Sequence, residues 1–328
     1  MADSMNSRLR IALVAITAAA STTSVAADRY PSRPVTIIVP TTAGGPPDTI
    51  ARLIGERMKV TLGEPIIVEN VTGAGGSIGV ARVVRAEPDG YTVSIGHINS
   101  HVFSGATYAL PFDLLTDLAP VALLTTSPQV FIGRGGLPPT DLTELITWLK
   151  ANPNASFGSV GMGGPGRVWG TYFANTIGAA FQFIPYRGAA SFMQDLIAGQ
   201  IDLAAAEGSN IVPHLGSGKI KTYAVLSKTR WAAAPDIPTI EQAGGPALYP
   251  SFWHGLWVPK GTPNGVISKL NAAVVDALAD PAVQARLAQL GHEIVARGAQ
   301  TPEALGAFHK AEIEKWWPII KAANIKAE

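Results

Sequence analysis

The chain contains no cysteine. That excludes disulfides, a thiolate nucleophile, Cys-ligated zinc and iron–sulfur clusters. Charge is also scarce: 15% of the 328 residues are Asp, Glu, Lys or Arg, and 25 basic against 24 acidic residues leave a formal net charge of +1. So even a balance supplies no long-range field for nucleic acid or an anionic membrane surface. Recognition of an anion has to come from a local site. No apolar run reaches the roughly 18 uncharged residues of a permanent membrane span. The sequence carries neither H-E-x-x-H nor the P-loop pattern G-x-x-x-x-G-K-[ST]. What remains is a composition 47% apolar, that of a well-buried globular chain long enough for two α/β domains or one large one.

The N-terminus is informative. Arg8 and Arg10 precede the apolar run from Ile11 to Ala20, and a small-residue stretch ends at Val25-Ala26-Ala27. A charged region, a short apolar region and an A-x-A-like site predict a secretory signal peptide over 1–27. The mature protein is expected to start at Asp28 and to be periplasmic.

Beyond it, strand-like and helix-like segments alternate. The β-branched run Val35-Thr36-Ile37-Ile38-Val39 predicts a buried strand. Ile50, Leu53, Ile54 and Met58 then recur at helical spacing, predicting a helix over about 47–62. Pro47 suits its first turn, where the missing N–H has no intrahelical partner. Further strands are expected at 66–68, 92–95, 121–124, 157–160, 181–185, 203–206, 222–226 and 256–258. Helices are expected near 78–85, 142–151, 169–177, 189–198, 264–279, 281–290 and 302–322. Such alternation predicts crossover units and a mainly parallel sheet.

Two strand–glycine loop–helix units, 40–48 and 159–167, stand out. Each should present backbone N–H groups and the positive end of a helix dipole to an anion. The plain alternative is a tight turn. Gly161, Gly163 and Gly166 also match the dinucleotide pattern G-x-G-x-x-G, but the segment about twenty residues on offers Tyr186 and Arg187 rather than an acidic residue. His97 and His101 could chelate a metal if helical; following a strand, they are expected in a loop, as cleft lining or surface. Asp48 reads as a capping or first-turn carboxylate. Trp253, Trp257, Trp316 and Trp317 read as core or interface.

The order and spacing of several short motifs carry a resemblance. They include Tyr30-Pro31-Ser32-Arg33-Pro34, Ala43-Gly44-Gly45 with Asp48, Val68-Glu69-Asn70, Gly73-Ala74-Gly75-Gly76 and Pro88-Asp89-Gly90-Tyr91. Pro185-Tyr186-Arg187-Gly188, Asp236-Ile237-Pro238-Thr239 and Gly261-Thr262-Pro263 continue the series. Together they resemble the Bug family, the extracytoplasmic solute receptors of tripartite tricarboxylate transporters. The resemblance implies an α/β, two-lobed periplasmic-binding-protein fold of type II-like organisation, with a ligand cleft between lobes. It divides the chain into lobe 1, residues 28–127 plus 250–328, and lobe 2, residues 128–249. It implies no catalysis, no cofactor and no nucleic-acid partner. The expected partners are a small organic carboxylate and the membrane subunits of a transporter, with the receptor itself a monomer.

By position, the resemblance places Thr41, Thr42, Ala43, Gly44, Gly45 and Asp48 on one carboxylate-binding loop. Ser159, Gly161, Gly163, Gly164 and Arg167 lie on the other. Asn99, Ser100, His101, Ser127, Tyr186, Arg187, Gly188 and Ala189 line the rest of the cleft. Glu207 is either a cleft residue or an internal partner of the arginines. The chain departs from the family pattern at Thr41, Pro46-Pro47, Arg167 and Ala206. A permanent cation at Arg167 favours a dicarboxylate or an aromatic carboxylate. Two other functions use the same features: a ligand-presenting partner of a membrane kinase, and an exported enzyme acting on a small carboxylate.

Overall fold

The β-branched run of the sequence forms the central strand of a three-stranded parallel unit. β1 (Val35–Val39) lies in parallel between β2 (Ile66–Asn70) and β3 (Thr92–His97). The helix Pro46–Leu62 returns across this sheet and buries Ile50, Ala51, Ile54 and Met58, the i, i+4 stripe visible in the sequence. Gly63 ends it at φ 75°, donating its N–H to the Lys59 carbonyl. The computed structural model describes residues 30–327, so the signal-peptide reading of 1–27 lies outside the described residues. Among these, no helix is long and apolar enough to cross a membrane.

The largest departure from the sequence reading is β4. The expected four-residue strand is 17 residues long, Leu118–Arg134. From Leu118 to Pro128 it pairs antiparallel with β9 (Ser251–Pro259). From Gln129 it pairs instead with β7 (Leu203–Glu207) and, on its other side from Val130, with β8 (Ile220–Val225). Pro120 and Pro128 offer no N–H to a ladder. In the fold Pro120 sits at a register shift, and Pro128 at the position where the partner strand changes. Those are the places where a missing ladder N–H is tolerated.

Beyond this exchange, β5 (Ser156–Val160) lies parallel to both β6 (Gln182–Tyr186) and β7, with Pro165–Ile177 and Ala189–Ile197 as the intervening helices. The strand order is β2-β1-β3-β9-β4-β7-β5-β6; β8 and β10 (Glu293–Ile294) join β4 from the side. The sheet is therefore mixed rather than mainly parallel. β4 pairs antiparallel with β7, β8, β9 and β10, and β3 with β9, because the chain leaves one half on β4 and returns on β9.

Aromatic side chains fill the seam between the two halves. Trp169, on the helix after β5, is fully buried and meets Phe252 edge-on at 5.5 Å, with Phe103 at 6.2 Å and Trp316 at 6.3 Å. Trp253 and Trp257 are buried too, as expected of core residues.

Candidate functional site

The loop after β1 is held by its own polar side chains. Asp48 is 3% exposed and accepts the Gly44 N–H at 2.9 Å. It also accepts from Arg52 Nε at 3.1 Å. Burial alone would raise the pKa of this carboxyl, but the hydrogen bonds from Arg52 and Gly44 outweigh it and hold the group below its ordinary value. Asn70, at the end of β2, donates to the Thr41 carbonyl at 3.0 Å. Pro46 and Pro47 supply no N–H, and Gly45 donates to Thr42. With Gly44 bound to Asp48, the amides of the exposed Thr42 and Ala43 remain as donors on this loop.

The loop after β5 is richer in donors. Gly161, at φ 70°, donates to the Tyr186 carbonyl and so ties the loop to the end of β6. Gly164 caps the helix without a side-chain partner, and Pro165 follows it. The amides of Gly163, Gly164 and Gly166 have no acceptor among the described residues. They converge at a 13-residue helix N-terminus, an arrangement suited to a carboxylate. A Cβ on Gly164 would lie 1.7 Å from the Val160 carbonyl oxygen, so the close turn demands glycine.

The two loops approach across the seam. A methyl group on Gly163 would lie 2.9 Å from Thr107 Cβ, and one on Gly188 would lie 3.7 Å from Thr42 Oγ1. The segments 159–167 and 186–189 thus face 41–48 and the helix ending at Thr107. Arg187, beside Gly188, is exposed and has no ion pair or hydrogen bond among the described residues. Arg167 is half-buried, with its guanidinium 5.5 Å from the Phe183 ring centroid and Nη1 3.7 Å from Met162 Sδ. Tyr186 donates its hydroxyl to Asp195 at 2.7 Å; burial and that bond raise its pKa to about 12. Ala189 begins the helix after Gly188.

Several expected lining residues sit deeper. The segment 97–101 is not a loop: β3 runs directly into a helical turn, Asn99–Phe103. That turn rotates His101 into the core, where it stacks on Trp257 at 4.2 Å. His101 and Ser100 are fully buried, and His97 is 5% exposed. Asn99 stays half-buried and donates to the Gly75 carbonyl at 3.1 Å. Ser159 is 2% exposed, beneath its glycine loop, and Ser127 is 1% exposed, its hydroxyl 3.4 Å from the Gly291 carbonyl. Glu207 contacts neither arginine. It is buried, 3.7 Å from His292 Nδ1, and burial pushes its pKa up to about 8 against a weaker opposing effect of Ser209. Nothing in the sequence pointed to His254 and His292 at this spot, because they come from a strand and a turn far apart in the chain. Gly75-Gly76-Ser77-Ile78-Gly79 fits the spacing G-x-S-x-G, but Ser77 follows a short 3-10 turn, and no histidine hydrogen-bonds its hydroxyl among the described residues.

The profile of the tripartite tricarboxylate transporter family receptor matches residues 50–325. The chain belongs to that family. An Agrobacterium vitis protein of the UPF0065 group is 39% identical over 321 residues, covering 98% of this chain and 92% of its own. The solved structure of the periplasmic binding protein BugD is 38% identical at a TM-score of 0.83, covering 91% of this chain and 100% of its own. MatC from Rhodopseudomonas palustris, with bound malate, is 35% identical at a TM-score of 0.83, covering 89% and 100%. An R. palustris protein with adipate is 29% identical at a TM-score of 0.84, covering 90% and 99%. The fold is accordingly the two-lobed one of periplasmic binding proteins, and the family's members are receptors rather than enzymes.

Proposed function

We propose that the protein is a periplasmic receptor that closes two lobes, 28–127 with 250–328 and 128–249, around one small dicarboxylate. The observation that carries this reading is the approach of two glycine loops, each opening a helix, from opposite sides of the seam crossed by β4 and β9. One ligand carboxylate would take the free amides of Gly163, Gly164 and Gly166 together with those of Thr42 and Ala43. Arg187, free and exposed at the rim, would meet the second carboxylate. Malate in MatC and adipate in a second relative are both dicarboxylates, which supports the class. Closing on the ligand makes a surface that the membrane subunits of a transporter can distinguish from the empty form.

The test is a thermal-shift and calorimetric series over four- to six-carbon dicarboxylates, aromatic monocarboxylates and neutral analogues. A dicarboxylate at 100 times its Kd should stabilise the native state by about 2.7 kcal/mol. Recovery of the ligand unchanged after incubation is expected. Equal response to the neutral analogues, or chemical conversion of the ligand, would overturn the reading.

A further inference from the structure

Three polar side chains from separate parts of the chain meet where β4 changes partner. Glu207 ends β7 opposite Gln129. His254 lies on β9, opposite Thr125 and His97. His292 precedes β10, whose Glu293 pairs with Thr126. Their exposures are 5%, 0% and 4%. Glu207 Oε1, His254 Nε2 and His292 Nδ1 have no hydrogen-bond partner. One donor atom from each residue lies within 4.8 Å of the others, and Glu207 Oε1 is 3.7 Å from His292 Nδ1, too far for a hydrogen bond.

Buried polar atoms without partners are unfavourable, and three converging ones call for a group that satisfies them together. We propose that Glu207, His254 and His292 form a binding site for a divalent transition metal ion, with zinc the best match. Two imidazoles and one carboxylate suit zinc, whereas calcium and magnesium prefer oxygen-only shells. Tetrahedral bonds of about 2.0–2.2 Å place donors roughly 3.3–3.6 Å apart. Binding would draw the three donors inward from their present spacing of within 4.8 Å. His254 is already oriented: its Nδ1 is 3.2 Å from Thr125 Oγ1, which leaves Nε2 to the metal. Gln129, neighbouring Glu207 across the ladder, has both side-chain amide atoms buried and unpartnered, and offers a further ligand or a support for bound water. His292 also lines a cleft of about 660 Å³ with Trp231 and Gln300, which gives an ion a route from solvent. Glu207 belongs to β7, which pairs with β4 beyond its change of partner, and His254 to β9, which pairs with β4 before it. A metal held by both would fasten the two halves of the sheet where β4 changes partner and restrain the motion of the lobes.

The mature protein, stripped by a chelator, is titrated with Zn²⁺ and with Co²⁺ as a spectroscopic probe. One equivalent of each should bind, Co²⁺ with the intense visible bands of a four-coordinate site and Zn²⁺ with a rise in melting temperature. Thr125→Val should weaken binding by about 10- to 100-fold, as loss of an orienting partner does. His254→Gln and His292→Gln should each weaken it more. Absence of binding to the wild type, or unchanged affinity in both histidine variants, would overturn the site. Because these residues are buried, a third measurement uses no variant: anomalous scattering at the zinc edge from wild-type crystals. A peak between Glu207, His254 and His292 is expected; its absence there leaves a hydrated polar cluster and removes the proposal. None of these outcomes depends on which carboxylate the cleft binds.

Discussion

Replacing Gly163 by alanine adds one methyl group where the loop after β5 meets the helix ending at Thr107. That methyl would stand 2.9 Å from Thr107 Cβ and Cγ2, closer than real side chains approach, and a tight 3.1 Å from Thr107 Oγ1. Gly163 is not among the residues at positive φ, so alanine brings no backbone strain of its own. Thr107 is anchored by its hydroxyl, which donates to the Phe103 carbonyl at 2.9 Å, and cannot simply swing away. Overpacking of this kind costs about 1–3 kcal/mol. If the two loops separate when the lobes open, the cost falls on the closed form alone. Gly163→Ala should then weaken ligand binding by roughly 5- to 150-fold and leave the unliganded melting temperature within about a degree of the wild type. Calorimetry with the best dicarboxylate and a melt without ligand measure the two quantities. Thr107→Gly in the same chain should restore most of the affinity, since it removes the opposing atoms. Wild-type affinity in Gly163→Ala would refute the argument. So would a loss of unliganded stability equal to the loss of binding, because the contact would then be part of a rigid core.

Arg187→Ala should weaken dicarboxylate binding by roughly ten- to a hundred-fold, the loss of a charge-assisted bond, and change monocarboxylate binding far less; equal losses for both ligand classes would remove Arg187 from the second carboxylate. Arg167→Ala, whose guanidinium already lies over Phe183, should have the smaller effect in the same calorimetric series. Asp48→Asn should loosen the first loop and lower ligand affinity. Because the folded pKa of Asp48 lies below its ordinary 3.8, its contribution to stability is present above that value and lost as pH falls through the folded pKa; acid melts should show that segment in the wild type and not in the variant. His309 is 2% exposed, its Nε2 is 2.6 Å from the His101 carbonyl oxygen, and burial lowers its pKa to about 4, with that carbonyl and Asp113 opposing. It therefore stays neutral in the folded state while the unfolded chain takes up a proton below about 6.5. Stability should fall between pH 6.5 and 4, by up to about 3 kcal/mol from this group, and His309→Gln should flatten that limb of the curve. Trp169→Ala should destabilise the protein by about 3–5 kcal/mol, read by denaturant melts, because Trp169 fills the aromatic seam.

Local pattern sufficed for most elements. The helices Asn264–Ala279 and Pro302–Ala322 run as their 3.6-residue spacing predicts, and β1 spans the whole β-branched run 35–39. The two glycine loops were legible too, because a strand, a glycine cluster and a helix start occur in sequence order, and only backbone rules are needed to place their amides. The length of β4 was not legible. The sequence pattern predicts a strand at 121–124, and only the pairing partners on either side show that Pro120 and Pro128 occupy irregularities in one continuous strand. The direction of the sheet was likewise decided by β4 and β9 crossing between the halves, a tertiary fact that alternation of elements cannot encode. The fate of His101 followed from a choice between loop and helical turn after β3, and the turn won by stacking the imidazole on Trp257 across the sheet. Glu207, His254 and His292 are 47 and 38 residues apart in sequence. No spacing rule joins them; they meet because β7, β9 and the turn before β10 all pack against the crossing strand β4.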